Sequence, residues 1–274
     1  MSRRSVGLIK FKARDGRAPQ ELAAMDIDVY LGDKKRKRHY IQVMFETIAP
    51  GYDAFTRFFS FGMDKKWKEL LLAEAERRIP KHAFILDLAC GTGDLGIELA
   101  RRTGASCAVG LDLSQIMLTQ ARDRSAKERV SLKLAACDML QLCVCEGSMD
   151  AVTIGYGLRN TADVSLALRE VARVLKPEGI VAVLDFNRPV GMVWREMFLW
   201  YMWNAGRFCG WLWHREPITY GYIAQSIRRY FTIPEFEKQL TDAGFKIEWR
   251  ASRLGGAIGM HIARRTAAAA QNAA

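Results

Sequence analysis

The sequence predicts an α/β domain built on a mostly parallel sheet with helices on both faces. Three observations carry that prediction. Beyond Pro80, short apolar runs alternate with helical stretches across short connections. The first strand-to-helix junction is rich in glycine. The chain has 274 residues, half of them hydrophobic, enough for one substantial core without a metal or disulfide.

Taken in order, residues 1–38 are polar and basic and read as a flexible arm, and residues 39–80 as an N-terminal helical cap. The cap breaks at Pro50-Gly51 and resumes as a helix from about Asp64, whose carboxylate suits an N-cap, with Trp67, Leu70 and Leu71 facing the core. The core at 81–190 carries expected strands at Phe84–Ala89, Ala108–Leu113, Val130–Ala135, Asp150–Ile154 and Ile180–Phe186. Helices are expected at Asp94–Arg102, Gln115–Arg124 and Val164–Leu175, the pattern of a parallel sheet buried on both faces. Residues 191–233 hold a Trp-rich stretch, read as a helix pair or lid; its Arg195, Glu196, Arg207 and Arg215 make it a poor membrane span. A helix from Pro234 and strands near Lys246–Arg250 and Ala257–Ile262 complete the core over 234–265, and 266–274 reads as a disordered tail.

Charge and cysteines bound the setting. The net charge of +11, partly concentrated in "KKRKRH" at Lys34 to His39, suits a solvated basic arm or anionic partners such as acidic lipid headgroups or nucleic acid. No base-stacking motif accompanies it, and no "N/D-P-P-Y" or "P-C" signature follows the fourth strand, so nucleic acid is not expected. The six cysteines (Cys90, Cys107, Cys137, Cys143, Cys145 and Cys209) sit mostly inside apolar segments, as in a reduced, cytoplasmic protein. Cys143 and Cys145 are too tightly spaced, and lack a matching pair, to suggest a metal site.

The chemistry concentrates at the C-terminal ends of the strands. In "ILDLACGTGDLG", Gly91, Gly93 and Gly96 satisfy a G-x-G-x-x-G spacing that brings a ligand against the backbone. Asp112, ending the second strand, can accept both ribose hydroxyls of an adenosine, which fits either NAD or S-adenosylmethionine. Asp87 favours the second, because its charge suits a methionine amino group and repels a pyrophosphate. Leu113 follows at the same strand end. Asp138 can accept from an adenine amino group while Met139 packs on the ring. In "DAVTIGYGLRN", Gly155 permits close approach, Tyr156 offers a ring face or hydroxyl, and Gly157 turns the chain so that Arg159 and Asn160 face the crevice. Arg159 is a permanent cation suited to a phenolate, and His261 is the candidate proton acceptor.

These motifs, with "MFETIAPGYDAFTRFFSFGMDKKWK", "ALREVARVLKPEG", "LDFNRP" and "QSI", resemble the quinone-ring C-methyltransferases of ubiquinone and menaquinone biosynthesis. The likeness runs from about Val43 to Arg264. It implies the class I methyltransferase fold, with a seven-stranded, mostly parallel sheet, an N-terminal helical cap and a helical insertion. It also implies S-adenosylmethionine as cofactor and a lipophilic quinol acceptor met at a membrane surface, with a homodimer possible. By the same resemblance, Thr92 and Asp112 are cofactor contacts, Tyr52 and Asp53 belong to the cap over the cofactor, and Arg159 belongs to the acceptor side. The acceptor-side half departs from the family pattern at Gly155, at Gln225 and in "HREPITYGYI", which leaves a lipid amine, a sterol-like ring or a small aromatic as the alternative acceptor.

Overall fold

The computed structural model describes residue 25, residues 34–214 and residues 218–266. Most of the expected N-terminal arm and all but the first residue of the expected tail lie outside them. Helices α1 (Lys34–Ile48), α2 (Tyr52–Phe59) and α3 (Met63–Glu76) lead into a seven-stranded sheet. Its strands are β1 (Phe84–Leu88), β2 (Cys107–Asp112), β3 (Lys133–Ala136), β4 (Met149–Gly155), β5 (Leu175–Phe186), β6 (Phe245–Arg253) and β7 (Ile258–Arg265). The crossover helices are α4 (Asp94–Thr103), α5 (Gln115–Glu128) and α6 (Val164–Val174). Helices α7 (Met192–His214), α8 (Ile218–Arg229) and α9 (Ile233–Asp242) follow β5.

Strand order is β3-β2-β1-β4-β5-β7-β6. The first five strands run parallel, and β7 pairs antiparallel with both β5 and β6. β1 is flanked by β2 on one side and β4 on the other, so the strand order reverses there and opens a crevice beyond the carboxyl ends. The central strands are apolar on both faces, which is why they read as continuous runs. Leu86, Val152 and Val181 enter one core layer, and Ile85, Ala151 and Ala182 the other.

Side-chain caps set several helix starts: Ser114 accepts from Met117 N, Asp163 from Leu166 N, and Thr232 with Glu235 forms a capping box. Each such cap contributes about 1 kcal/mol. Asp64 does not play this part. The residue before α3 is Gly62, in the left-handed region at φ 73°, and the Asp64 side chain turns inward. The basic run Lys34 to His39 is not part of an arm either; it is the first turns of α1. Lys37 there donates to the carbonyls of Arg159 (3.1 Å) and Thr161 (2.6 Å), satisfying backbone at the mouth of β4. The Trp-rich stretch forms α7, whose Phe198, Leu199 and Met202 pack on Ala224 and Ile227 of α8 and on Ile48 of α1. Among the described residues no helix is long and apolar enough to cross a membrane.

Candidate active site

A cavity of about 310 Å³ lies beyond the ends of β1, β2 and β4, with α1 and α2 over it. Gly91 adopts a left-handed φ of 54°, which a side chain would strain, and its amide donates to Asp112 Oδ2 at 2.9 Å. Ser114 N donates to Asp112 Oδ1 at 2.8 Å, so both carboxylate oxygens are fixed yet keep a lone pair each. Burial pushes the Asp112 carboxyl up, and these amides pull it back only in part. Asp138 accepts from Leu140 N at 3.0 Å and pairs with Arg38 of α1 at 3.2 Å. Arg38 was hidden to sequence reasoning inside the presumed arm. Leu88, Leu113, Met117, Met139 and Leu140 make the walls apolar.

The donor set fits an adenosine joined to a cation. Asp112, Asp138 and Asp163 line the cavity against one arginine, so hydroxyls, an amino group and a positive sulfur find acceptors there, whereas a pyrophosphate would meet like charge. Of the predicted cofactor residues, Tyr52, Gly91, Asp112, Leu113, Asp138, Met139 and Gly155 line this cavity. Asp87, Thr92 and Gly93 do not. Asp87 lies behind the loop, accepting from Gly96 N (2.9 Å) and Thr153 Oγ1 (2.7 Å). Burial raises its pKa to about 7, and a Cβ at Gly96 would fall 2.7 Å from its own Cβ. Asp87 therefore braces the glycine loop from within the sheet. Thr92 donates to Asp53 at 3.0 Å and accepts from Arg124 at 3.0 Å, tying the loop to α2 and α5. Gly93 caps α4 at φ 79°.

The loop after β4 also departs from expectation. Tyr156, not Gly157, takes the left-handed conformation, at φ 60°. Such a conformation is uncommon for a residue with a side chain and is held only by strong surrounding contacts. Those contacts are present: Tyr156 Oη donates to Asp64 Oδ1 (2.7 Å), and its carbonyl accepts from Arg159 Nη1 (2.8 Å) and Asn160 Nδ2 (2.9 Å). Gly157 has an ordinary φ of −93° and is bare because a Cβ would fall 2.7 Å from that of Ala89. Gly155 likewise leaves room for Leu95, whose Cδ1 would lie 2.6 Å from an added Cβ.

Arg159 turns its guanidinium inward, 2.8 Å from Asp185, rather than presenting it to the cofactor crevice. Burial opposes its charge, but Asp185, Tyr52 and Tyr222 together outweigh burial and hold Arg159 above its ordinary pKa. Its Nε is buried without a hydrogen-bond partner. Asn160 Oδ1 accepts from Tyr222 Oη at 3.0 Å. A second cavity, of about 50 Å³, is lined by Tyr52, Asp64, Tyr156, Arg159, Phe186 and Tyr222, among others. Phe45, Tyr52 and Tyr156 line both cavities and stand between them.

His261, the expected proton acceptor, is placed away from both cavities. It pairs with Val183 of β5, is 1 % exposed, meets Phe236 edge to face and has Nε2 3.4 Å from Glu237, and it lines neither cavity. Burial lowers its pKa to about 4, with Glu237 opposing.

Comparison with known proteins agrees with this geometry. The model of the ubiE/COQ5 methyltransferase family matches residues 33–265. The ubiquinone/menaquinone biosynthesis C-methyltransferase UbiE of Geotalea uraniireducens is 31% identical over 84% of this chain and 97% of its own. The 2-phytyl-1,4-naphtoquinone methyltransferase of Thermosynechococcus vestitus is 35% identical over 82% and 99%. Among solved structures, a putative sarcosine dimethylglycine methyltransferase from Galdieria sulphuraria aligns with TM-score 0.57 at 14% identity over 73% and 85%. The [4+2]-cyclase SpnF aligns with TM-score 0.53 at 18% identity over 72% and 80%. Identities that low establish the fold alone, and one of these two is titled a cyclase. The sequence relatives decide the activity: this chain belongs to the ubiE/COQ5 methyltransferase family and is an S-adenosylmethionine-dependent methyltransferase.

Proposed function

We propose that the protein methylates a ring carbon of a prenylated benzoquinol or naphthoquinol in quinone biosynthesis. The observation that carries this reading is the second cavity, which is aromatic and aliphatic apart from a few polar groups and is lined in part by Arg159, whose buried Nε has no hydrogen-bond partner. A buried donor without an acceptor is costly, and the oxygen of a hydroxylated ring would satisfy it. At about 50 Å³ the cavity accommodates a ring edge with its oxygen, the rest of the ring extending past Tyr52 and Tyr156 toward the cofactor.

Bound S-adenosylmethionine supplies a methyl group on a positively charged sulfur. Asp112 and Asp138 would hold its adenosine, and the glycine loop would let it approach the backbone. The protein's remaining task is to place the carbon nucleophile in line and keep water out. A quinol carbon is nucleophilic only as its hydroxyl loses a proton, and a fixed cation beside the oxygen favours that loss. Arg159 fills this role, with Asp185 fixing its orientation.

The lipophilic tail implies contact with a membrane surface. Val193, Met197, Trp200, Tyr201 and Phe208 fall on one exposed face of α7, Trp200 at 70 % exposure, with Arg188 and Arg195 nearby in sequence. An exposed apolar face of this kind suits shallow insertion among lipid headgroups.

The test is incubation with labelled S-adenosylmethionine and a panel of prenylated quinols in anionic vesicles, short-tailed quinols, small aromatics and phospholipids. Label is expected in the quinols; label confined to lipid amines or other small molecules overturns the reading. Trp200→Ser should slow turnover of the vesicle-borne quinol and leave the short-tailed one unaffected, whereas equal effects on both would remove the membrane role.

A further inference from the structure

We propose that Asp64 is the group that receives the acceptor's hydroxyl proton, through the hydroxyl of Tyr156. The inference rests on the quinol reading above and adds what that reading lacks, a base, since His261 lines neither cavity.

The placement is specific. Among the described residues lining the second cavity, Asp64 is the one carboxylate, and it is 9 % exposed. Tyr156 separates this cavity from the cofactor crevice and already donates its proton to Asp64 at 2.7 Å. A hydroxyl that donates one hydrogen bond retains lone pairs to accept another. An acceptor hydroxyl resting on Tyr156 therefore completes a line from acceptor oxygen to Tyr156 Oη to Asp64 Oδ1.

The surrounding charges suit transfer rather than storage on the phenol. Lys68 of α3 bridges Asp64 (2.7 Å) and Asp94 of α4 (2.6 Å), which fixes the carboxylate and leaves the three groups together one negative charge. The Lys68 ammonium and the Arg159 guanidinium each lie 5.7 Å from the centre of the Tyr156 ring, and Asp185 offsets Arg159. Tyr52 of α2 and Tyr222 of α8 are the remaining titratable groups at the cavity. Burial first, then Asp64, hold the Tyr156 phenol well above its ordinary pKa, so it passes a proton on and stays neutral.

The step balances. The acceptor O–H bond breaks as Tyr156 gains that proton and gives its own to Asp64. The electron pair left on oxygen is delocalised to the ring carbon and forms the new carbon–methyl bond, and the sulfur keeps the pair of the bond that breaks. The ring carbon then loses its hydrogen as a proton to solvent while Asp64 returns its proton through Tyr156 to the oxygen. One proton is released per turnover.

The experiment measures kcat and KM against pH for the full chain, with a reduced quinol, in Asp64→Asn and Tyr156→Phe. Cofactor affinity by calorimetry and melting temperature serve as structural readouts, and a proton inventory of kcat in mixed light and heavy water counts the protons in flight. Asp64→Asn is expected to lower kcat by about 10²–10⁴-fold, with KM and cofactor affinity changed less than about threefold and log kcat now rising with pH as hydroxide substitutes. Tyr156→Phe should lower kcat by at least about tenfold and change the inventory from curved to linear. Wild-type turnover of quinol with Asp64→Asn within about threefold of it overturns the relay alone. A loss of kcat matched by equal losses of cofactor affinity and melting temperature also overturns it. No wild-type turnover of any quinol overturns the substrate reading and the relay with it.

Discussion

The two halves of the active site differ in how their carboxylates are held. On the cofactor side each carboxylate accepts from a backbone amide, Gly91 and Ser114 for Asp112, Leu140 for Asp138 and Gly96 for Asp87, with Arg38 and Thr153 as added side-chain partners of Asp138 and Asp87. On the acceptor side the functional groups are chiefly joined side chain to side chain, Tyr156 with Asp64, Lys68 with Asp64 and Asp94, Arg159 with Asp185 and Asn160 with Tyr222, although Asp185 and the Tyr156 carbonyl also take part in bonds to backbone groups. Amides are spaced by the loop itself and tolerate a change of neighbouring side chain. A side-chain network can be retuned residue by residue, but each member depends on its partner being present. The contrast suits a cofactor that is constant across a family and an acceptor that is not.

The sharpest way to break this contrast is at its most buried pair. Arg159→Met leaves Asp185 in the interior without its counter-ion and should cost about 3–5 kcal/mol in denaturant unfolding. A cost under about 1 kcal/mol would mean that the pair is reached by solvent and that the acceptor side is no tighter than the surface. Next comes Asp112→Ala, which strips the acceptor from two amides and from the ribose. It should weaken S-adenosylmethionine on the order of 100-fold by calorimetry, since a hydrogen bond to a charged group is worth about 1.5–3 kcal/mol, while unfolding changes less than for Arg159→Met.

The smallest contrast is in titration, because two buried groups oppose one another. Asp87 has its pKa raised to about 7, so between the unfolded value of 3.8 and that point the folded chain binds a proton the unfolded chain lacks. Its contribution is present at low pH and lost as pH rises through 7. His261, lowered from 6.5 to about 4, works the other way, its contribution present above 6.5 and lost on acidification toward 4. Each slope is limited to about 1.4 kcal/mol per pH unit. Urea titrations from pH 4 to 7 should therefore show Asp87→Asn losing stability more steeply on acidification than the parent, and His261→Gln less steeply. Parallel slopes for all three proteins would show that neither group titrates in this window.

The same contrast explains what the sequence revealed. The glycine loop, Asp112 and the third-strand Asp138 belong to consecutive strand-loop-helix units, so spacing along the chain stands for spacing in the crevice. The seven strands and the crossover helices were legible for a related reason, since apolar runs of strand length between turn residues leave few alternatives. Asp64 was misread because an acidic residue at a helix start fits an N-cap, and nothing local says that its partner is Tyr156, 92 residues on. Asn160 and Tyr222 are 62 residues apart and meet only once α8 has docked. The start of α1 was hidden by its charge, because a run of lysine and arginine carries no apolar period. Asp87 was given to the cofactor on proximity to the loop, although a residue inside a strand alternates between faces and this one faces Gly96.

The position of β7 bears on how the chain is made. Synthesis delivers β5 well before β7, yet β7 is the strand that covers the free edge of β5 and joins it to β6. Until Arg265 has left the ribosome, the hydrogen-bonding edge of β5 from Ile180 to Phe186 has no mate, although β1 to β4 can already pair. That interval exposes an apolar strand of the kind that aggregates when left open. The acceptor half stands on Asp185 of that same strand, so its support is completed only by a strand made near the end of synthesis.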